Sequence, residues 1–70
     1  MDWIETPESS NIARFGYDAA GQILAVEFAK SGTYQYYDVP EAVFEQMKAA
    51  PSKGQFVAQI IKGRYRYAKA

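Results

Sequence analysis

The 70 residues of this chain include neither cysteine nor histidine, and the two absences exclude several kinds of chemistry. Without cysteine there can be no disulfide bond, thiol nucleophile or thiolate metal site. Without histidine the chain lacks the usual general base near neutral pH and the commonest metal ligand. The sequence therefore predicts a domain that needs no covalent cross-link, no cofactor and no metal.

The chain also lacks net charge and long apolar runs. Eight acidic and eight basic residues cancel, so the total charge favours neither nucleic acid nor membrane as a partner. No apolar run approaches the roughly 18 residues that would span a bilayer. The first residues, Met1 to Glu5, are acidic where a secretory signal would be basic. We therefore expect a cytoplasmic protein with no membrane partner, and no residue pattern indicates a small-molecule substrate.

Residue pairs that could indicate catalysis have simpler structural explanations. A serine–lysine dyad could be formed by Ser31 or Ser52 with Lys30 or Lys53, but these residues lie at predicted turn and cap positions. Ser52 precedes Gln55 by three residues, which is the spacing of a helix capping box and favours an N-cap over a nucleophile. Glu41 and Glu45 have too few oxygen ligands nearby to hold a divalent ion, so a solvated helix face explains them better. The sequence therefore predicts that the protein is not an enzyme.

The first half of the chain has the pattern of three β-strands, over residues 11–18, 22–29 and 33–39. The connections between them are short and contain glycine, which favours an antiparallel meander. Residues 1–8 show no period and are predicted to be a loose lead-in. Residues 9–70 then form the single domain that a chain of this length allows.

The second half of the chain has the spacing of two helices. The first begins at Pro40 and ends before Pro51. The second begins after Ser52 and ends near Gly63, a residue suited to the left-handed position after a last turn. The predicted fold is α+β: a three-stranded antiparallel meander followed by two helices packed on one face. A short extended segment can follow at the C-terminus.

The charges are distributed unevenly along the chain. Residues 1–47 hold eight acids and two bases, whereas residues 48–70 hold six bases and no acid. Within the basic part, Arg64 to Tyr67 alternates arginine with tyrosine. If this stretch is extended, both arginines lie on one side and both tyrosines on the other. The arginines could then contact phosphates, while the rings either pack on the sheet or stack on unpaired bases.

A second group of tyrosines lies on the third predicted strand. Tyr34 and Tyr36 share the parity of the apolar residues of the preceding strand, which favours a place in the core. Tyr37 has the opposite parity and is the better candidate for an exposed ring that stacks on a base.

Seven stretches carry a family resemblance through their order and spacing: Ser9–Ile12, Gly16–Asp18, Leu24–Phe28, Tyr34–Tyr36, Val39–Pro40, Ser52–Gly54 and Gly63–Tyr67. Together they resemble the KTSC domain, a family named after the C-terminal end of some lysyl-tRNA synthetases and also found as free-standing small bacterial and phage proteins. The resemblance covers about residues 9–69 and implies a domain without established biochemical activity, for which RNA binding has been suggested.

The chain also departs from the family pattern. Ala58 and Ile60 stand where asparagines are frequent, and Lys62 stands where arginine is usual. Lysine keeps the positive charge but loses the planar fork that binds phosphate in two places. Arg66 replaces a frequent proline and adds a positive charge.

The basic C-terminal part and the resemblance together predict a non-catalytic binding module with RNA as its partner. The alternative is a protein interaction module that binds an acidic protein or another copy of itself. The residues predicted to contact RNA are five cations and two tyrosines: Lys53, Lys62, Arg64, Arg66, Lys69, Tyr37 and Tyr67.

Overall fold

Apolar residues at alternate positions build the strands of one antiparallel sheet, because alternate side chains of a strand point to the same face. The computed structural model describes all of residues 1–70. Five strands lie side by side in the order of the sequence. They are β1 (Asp2–Glu5), β2 (Ile12–Asp18), β3 (Ile23–Phe28), β4 (Gly32–Tyr36) and β5 (Tyr67–Lys69).

Two helical segments cover one face of this sheet. Helix α1 spans Glu41–Ala49, and α2 spans Lys53–Phe56 and continues directly into a π-helical turn over Val57–Ile61. The predicted capping box is confirmed, because the Ser52 hydroxyl accepts a hydrogen bond from the backbone N–H of Gln55 at 3.3 Å. No helix has the length and apolar character needed to cross a membrane.

The hydrophobic core lies between the helices and the sheet face that they cover, which we call the helix face. Phe15 pairs with Val26, and Val26 pairs with Tyr34, so three neighbouring strands contribute one row of side chains to this face. Met47 of α1 and Ile61 of the π-helical turn are fully buried against it. We call the other face of the sheet the open face.

The predicted three-stranded meander is wrong in its strand number, because the sheet has a further strand on each side. β1 lies within residues 1–8, where the sequence predicts a loose lead-in, and it pairs with β2 from Asp2–Tyr17 to Glu5–Arg14. At the other side β5 pairs with β4. Strands of four and three residues are too short to show a period, so their extended conformation depends on the strands beside them.

Side chains also hold the first segment against the sheet. The buried Thr6 hydroxyl donates a hydrogen bond to the carbonyl oxygen of Ile12 at 2.6 Å. The Arg14 guanidinium lies 4.3 Å from the centre of the Trp3 ring, and its Nε lies 2.6 Å from Glu27 Oε1. These contacts make residues 2–6 part of the domain.

Candidate functional site

A cleft of about 350 Å³ opens on the helix face, beside the last strand of the sheet. It is lined by Phe28, Ser31, Tyr34, Tyr36, Lys62, Gly63 and Tyr67. We call it the aromatic cleft, because four of its seven residues are Phe or Tyr. No acidic side chain lines it, and the protein has no cluster of three or more acidic side chains that could hold a metal ion.

The rings of the aromatic cleft differ in exposure, and this difference follows from their places in the sheet. Tyr36 lies under the helices and is 2 % exposed, whereas Tyr67 lies on the outermost strand and is 61 % exposed. The Tyr67 ring centre is 5.7 Å from the ring centres of both Tyr34 and Tyr36. Phe28 packs edge-on against Tyr34 at 5.5 Å. The cleft therefore presents one exposed ring supported by less exposed rings.

Two lysines give this aromatic surface a positive charge. The Lys62 ammonium lies 5.3 Å from the centre of the Phe28 ring at the cleft wall. Lys69 is the direct partner of Tyr34 in the strand pairing and so lies on the same face. Neither lysine forms an ion pair, because the ion pairs of the protein are Arg14–Glu27, Lys48–Glu45 and Arg66–Asp38. Both charges are thus free to attract an anion.

The structure brings only some of the residues predicted to contact RNA to this cleft. Tyr67 and Lys62 line it, and Lys69 lies on the same sheet face. Arg64 directly follows Gly63, another cleft residue, in a turn over residues 62–65. The remaining three residues lie elsewhere.

Tyr37 and Arg66 lie together on the open face. Tyr36 and Tyr67 pair on the helix face, so the neighbouring residue on each of the two segments points the other way. The Arg66 guanidinium lies 5.6 Å from the centre of the Tyr37 ring, and its Nη2 lies 3.2 Å from Asp38 Oδ2. Because both partners of this ion pair are more than 70 % exposed, it contributes little stability, although it offsets the positive charge there.

The two arginines do not form one row, because the chain turns between Lys62 and Tyr65 and becomes a strand only at Tyr67. Tyr65 packs against the core, whereas Tyr67 stays exposed. Lys53 lies apart from this region, where its ammonium donates hydrogen bonds to the carbonyl oxygens of Lys48 and Ala50.

Sequence reasoning assigned five residues of the cleft to no site: Phe28, Ser31, Tyr34, Tyr36 and Gly63. Phe28 and Tyr34 have the parity of core residues, which is why they are predicted to be buried. The signal that distinguishes them is position, since Phe28 ends β3 and Tyr34 pairs with the outermost strand. Both lie where the cover of the helices ends.

Burial raises the pKa of one tyrosine of the aromatic cleft, Tyr36. The pKa of Tyr36 is raised above its usual value of 10.0, mainly because burial disfavours the phenolate. The negative charges that Tyr67 and Tyr34 acquire on ionising raise it further. In the unfolded chain Tyr36 releases its proton at a lower pH than in the folded protein, so its contribution to stability is lost as the pH rises above about 10.

We expect Tyr36→Phe to weaken this alkaline loss of stability. Phenylalanine keeps the buried ring but has no proton to release, so the substituted protein should lose less free energy of unfolding between about pH 9 and pH 11. Urea denaturation at several pH values measures the difference, which can reach about 1.4 kcal/mol per pH unit. The raised pKa of Tyr17 is common to both proteins, so its effect cancels in the comparison. Parallel curves for the two proteins would contradict the expectation.

Both a family model and a solved structure match this chain over most of its length. A family model described as KTSC domain matches residues 8–65. A crystal structure of a KTSC domain protein from Yersinia pestis superposes with a TM-score of 0.94 at 36% sequence identity, covering 99% of this chain and 96% of that chain. The architecture, including β1 and β5, is therefore also found in a solved structure.

Two kinds of relatives have similar sequences. A protein of Tsukamurella paurometabola is 52% identical over 59 residues, which are 84% of this chain and 88% of that protein. A lysine–tRNA ligase of Trichormus variabilis is 41% identical over 61 residues, which are 87% of this chain. The chain spans only 11% of the length of that ligase. The domain thus occurs both as a small protein and as a segment of a larger one.

Proposed function

Because this chain belongs to the KTSC domain family and carries an aromatic, positively charged cleft, we propose that it is a cytoplasmic, non-catalytic module that binds single-stranded RNA. The observation that carries the proposal is the exposed Tyr67 ring beside two unpaired lysines, with no acidic side chain in the cleft. Proteins that bind single strands without reading their sequence combine these two features, stacking rings and a positive groove.

In this proposal each part of the cleft has its own contact with the strand. An unpaired base stacks on the exposed ring of Tyr67, which Tyr34 supports from the adjacent strand. Lys62 and Lys69 hold the phosphates on either side of that base, and Arg64 holds the next one. Base stacking on a protein ring contributes about 1–3 kcal/mol, so one ring and a few charges support moderate, salt-sensitive affinity.

The relatives favour RNA over other polyanions. A segment of lysine–tRNA ligases matches almost the whole of this domain, and those enzymes are named for a tRNA substrate. Unpaired loops and ends of a tRNA, or of another structured RNA, present splayed bases that can stack on a ring. We infer that such unpaired segments are the ligand class.

An RNA titration at low and moderate salt, followed by NMR chemical shifts, tests this function. We expect the shifts to concentrate at the aromatic cleft and the affinity to fall as salt rises. Lys62→Gln/Lys69→Gln should lower the slope of log affinity against log salt by about 1.4, because each phosphate contact on a single strand contributes about 0.7. Lys48→Gln removes a charge outside the cleft, where Lys48 pairs with Glu45, and should leave the slope unchanged.

A different result would favour the protein-interaction function. The outermost strands β1 and β5 each have an unpaired edge, and β1 carries Asp2 and Glu5 whereas β5 carries Lys69. Edges of opposite charge could pair between copies of the chain. If RNA causes no shift, and the protein instead forms assemblies that dissolve in salt, RNA binding is contradicted and self-association takes its place.

A further inference from the structure

A second cavity of about 350 Å³ adjoins the aromatic cleft. The two share Phe28, Ser31 and Lys62 as a common wall. The other residues of the second cavity are Ser10, Asn11, Lys30, Gly54, Val57 and Ala58. We call it the polar pocket, because five of its nine residues have polar or charged side chains and only Phe28, Val57 and Ala58 are apolar.

The polar pocket gathers positive charge and free hydrogen-bonding groups from distant parts of the chain. Lys30 follows β3 and Lys62 follows the π-helical turn, and neither forms an ion pair. The side chains of Ser10, Asn11 and Ser31 make no hydrogen bond within the protein. No acidic residue lines the pocket.

These groups match the chemistry of a phosphate. Phosphate oxygens accept hydrogen bonds from ammonium, hydroxyl and amide donors, and bonds to an ionised acceptor are shorter and stronger than neutral ones. A negatively charged side chain in the lining would oppose such a ligand, and the lining has none. The aromatic cleft, in contrast, offers ring faces and only one charged side chain, Lys62.

We propose that the polar pocket binds a phosphate group of the same nucleotide whose base stacks in the aromatic cleft. This inference rests on the proposed function and names the ligand of that site more closely, as a nucleotide with its phosphate on the Lys30 side. Phe28 and Lys62 belong to both cavities, so the sugar of the nucleotide would cross the wall that they form. Lys62 would then lie between the cavity that holds the base and the cavity that holds the phosphate.

Gly54 keeps the pocket open on the side of α2. A Cβ at this position would lie 3.5 Å from Asn11 Nδ2, an ordinary contact, so alanine fits without displacing the chain. A longer side chain would extend beyond that contact and occupy the space beside Asn11. The glycine therefore provides a steric way to block the pocket without removing a charge or a hydrogen-bonding group.

Titrations with small ligands distinguish binding to the aromatic cleft from binding to the polar pocket. Chemical-shift titrations with adenosine, with its 5′- and 3′-monophosphates and with inorganic phosphate report base and phosphate binding independently. We expect one of the two monophosphates to bind about tenfold tighter than adenosine, since hydrogen bonds to a charged group contribute enough free energy for such a gain. The monophosphate that binds more tightly shows whether the pocket accepts a 5′- or a 3′-phosphate. Inorganic phosphate should shift the resonances of Lys30 and Asn11.

Variants test whether the higher affinity for the monophosphate comes from the polar pocket. Lys30→Gln and Gly54→Leu should each bring the monophosphate down to the affinity of adenosine while leaving adenosine binding unchanged. Lys48→Gln, with the same loss of charge as Lys30→Gln but outside both cavities, should keep the tenfold gain. Asn11→Ala offers a milder test that keeps the lysines, and it should reduce the gain severalfold.

The outcomes distinguish the two proposals. If RNA binds with the expected salt dependence but adenosine and both monophosphates bind equally, the polar pocket is not a phosphate site and the proposed function stands. The same conclusion follows if the tenfold gain survives in Lys30→Gln and in Gly54→Leu. If neither RNA nor adenosine binds at all, both proposals are overturned together.

Discussion

We expect Phe15→Ala to remove a large part of the protein's free energy of unfolding. The Phe15 side chain is fully buried on the second strand of the sheet and packs edge-on against Phe44 of α1 at 5.8 Å. Truncating a buried phenylalanine to alanine costs about 3–5 kcal/mol, because it removes apolar contacts and leaves a cavity. A domain of this length has a total stability of roughly 4–10 kcal/mol, so one substitution removes much of it.

Urea denaturation followed by circular dichroism measures this loss. Phe15→Leu is a milder companion that keeps most of the apolar volume, and it should stay folded with a clearly lower midpoint. An unchanged midpoint for Phe15→Ala would contradict the described core. It would mean that α1 does not pack on the sheet through this residue.

The elements that the sequence predicts well are those governed by local rules. The Ser52 cap forms because its hydroxyl satisfies the backbone N–H of Gln55 within the same turn. Gly63 has a φ of 80°, the left-handed backbone that glycine adopts without strain. In each case the chain close to the residue determines the outcome.

The sequence predicts an extended C-terminal segment, but it predicts neither β1 nor the pairing of β5 with β4, because both depend on the rest of the sheet. β1 has four residues without a strand period, and its backbone pairs with β2, which comes later in the chain. β5 has three residues and returns to the sheet beyond both helices to pair with β4. Their conformations depend on pairing with distant residues, which local propensity does not report.

The charges around the aromatic cleft also depend on distant residues, which the local sequence does not reveal. The alternation from Arg64 to Tyr67 predicts a surface of cations and rings, and the structure shows that Tyr67 is exposed there. It does not reveal that Asp38, 28 residues before Arg66, pairs with that arginine on the open face. Nor does it reveal that Lys62 lies over the ring of Phe28. To predict a surface built across strands, the pairing register is needed as well as the sequence.

We expect Tyr67→Ala to reduce affinity for single-stranded RNA by roughly 5- to 150-fold, the range that corresponds to losing one stacked base. The Tyr67 ring is the most exposed ring of the aromatic cleft, so its removal should cost the fold little. The slope of log affinity against log salt should stay the same, because no cation is lost. Titration with a short unstructured RNA measures both quantities.

Tyr37→Ala is the matched control, since it removes the same ring from the open face, where Arg66 lies against it. Both tyrosines are predicted from the sequence as stacking partners, and they lie on opposite faces of one sheet. Binding through the aromatic cleft requires that only Tyr67→Ala weakens the RNA complex. If Tyr37→Ala causes the loss and Tyr67→Ala does not, the RNA lies on the open face. Arg66 would then have to exchange Asp38 for a phosphate, and the affinity should fall further in Arg66→Gln.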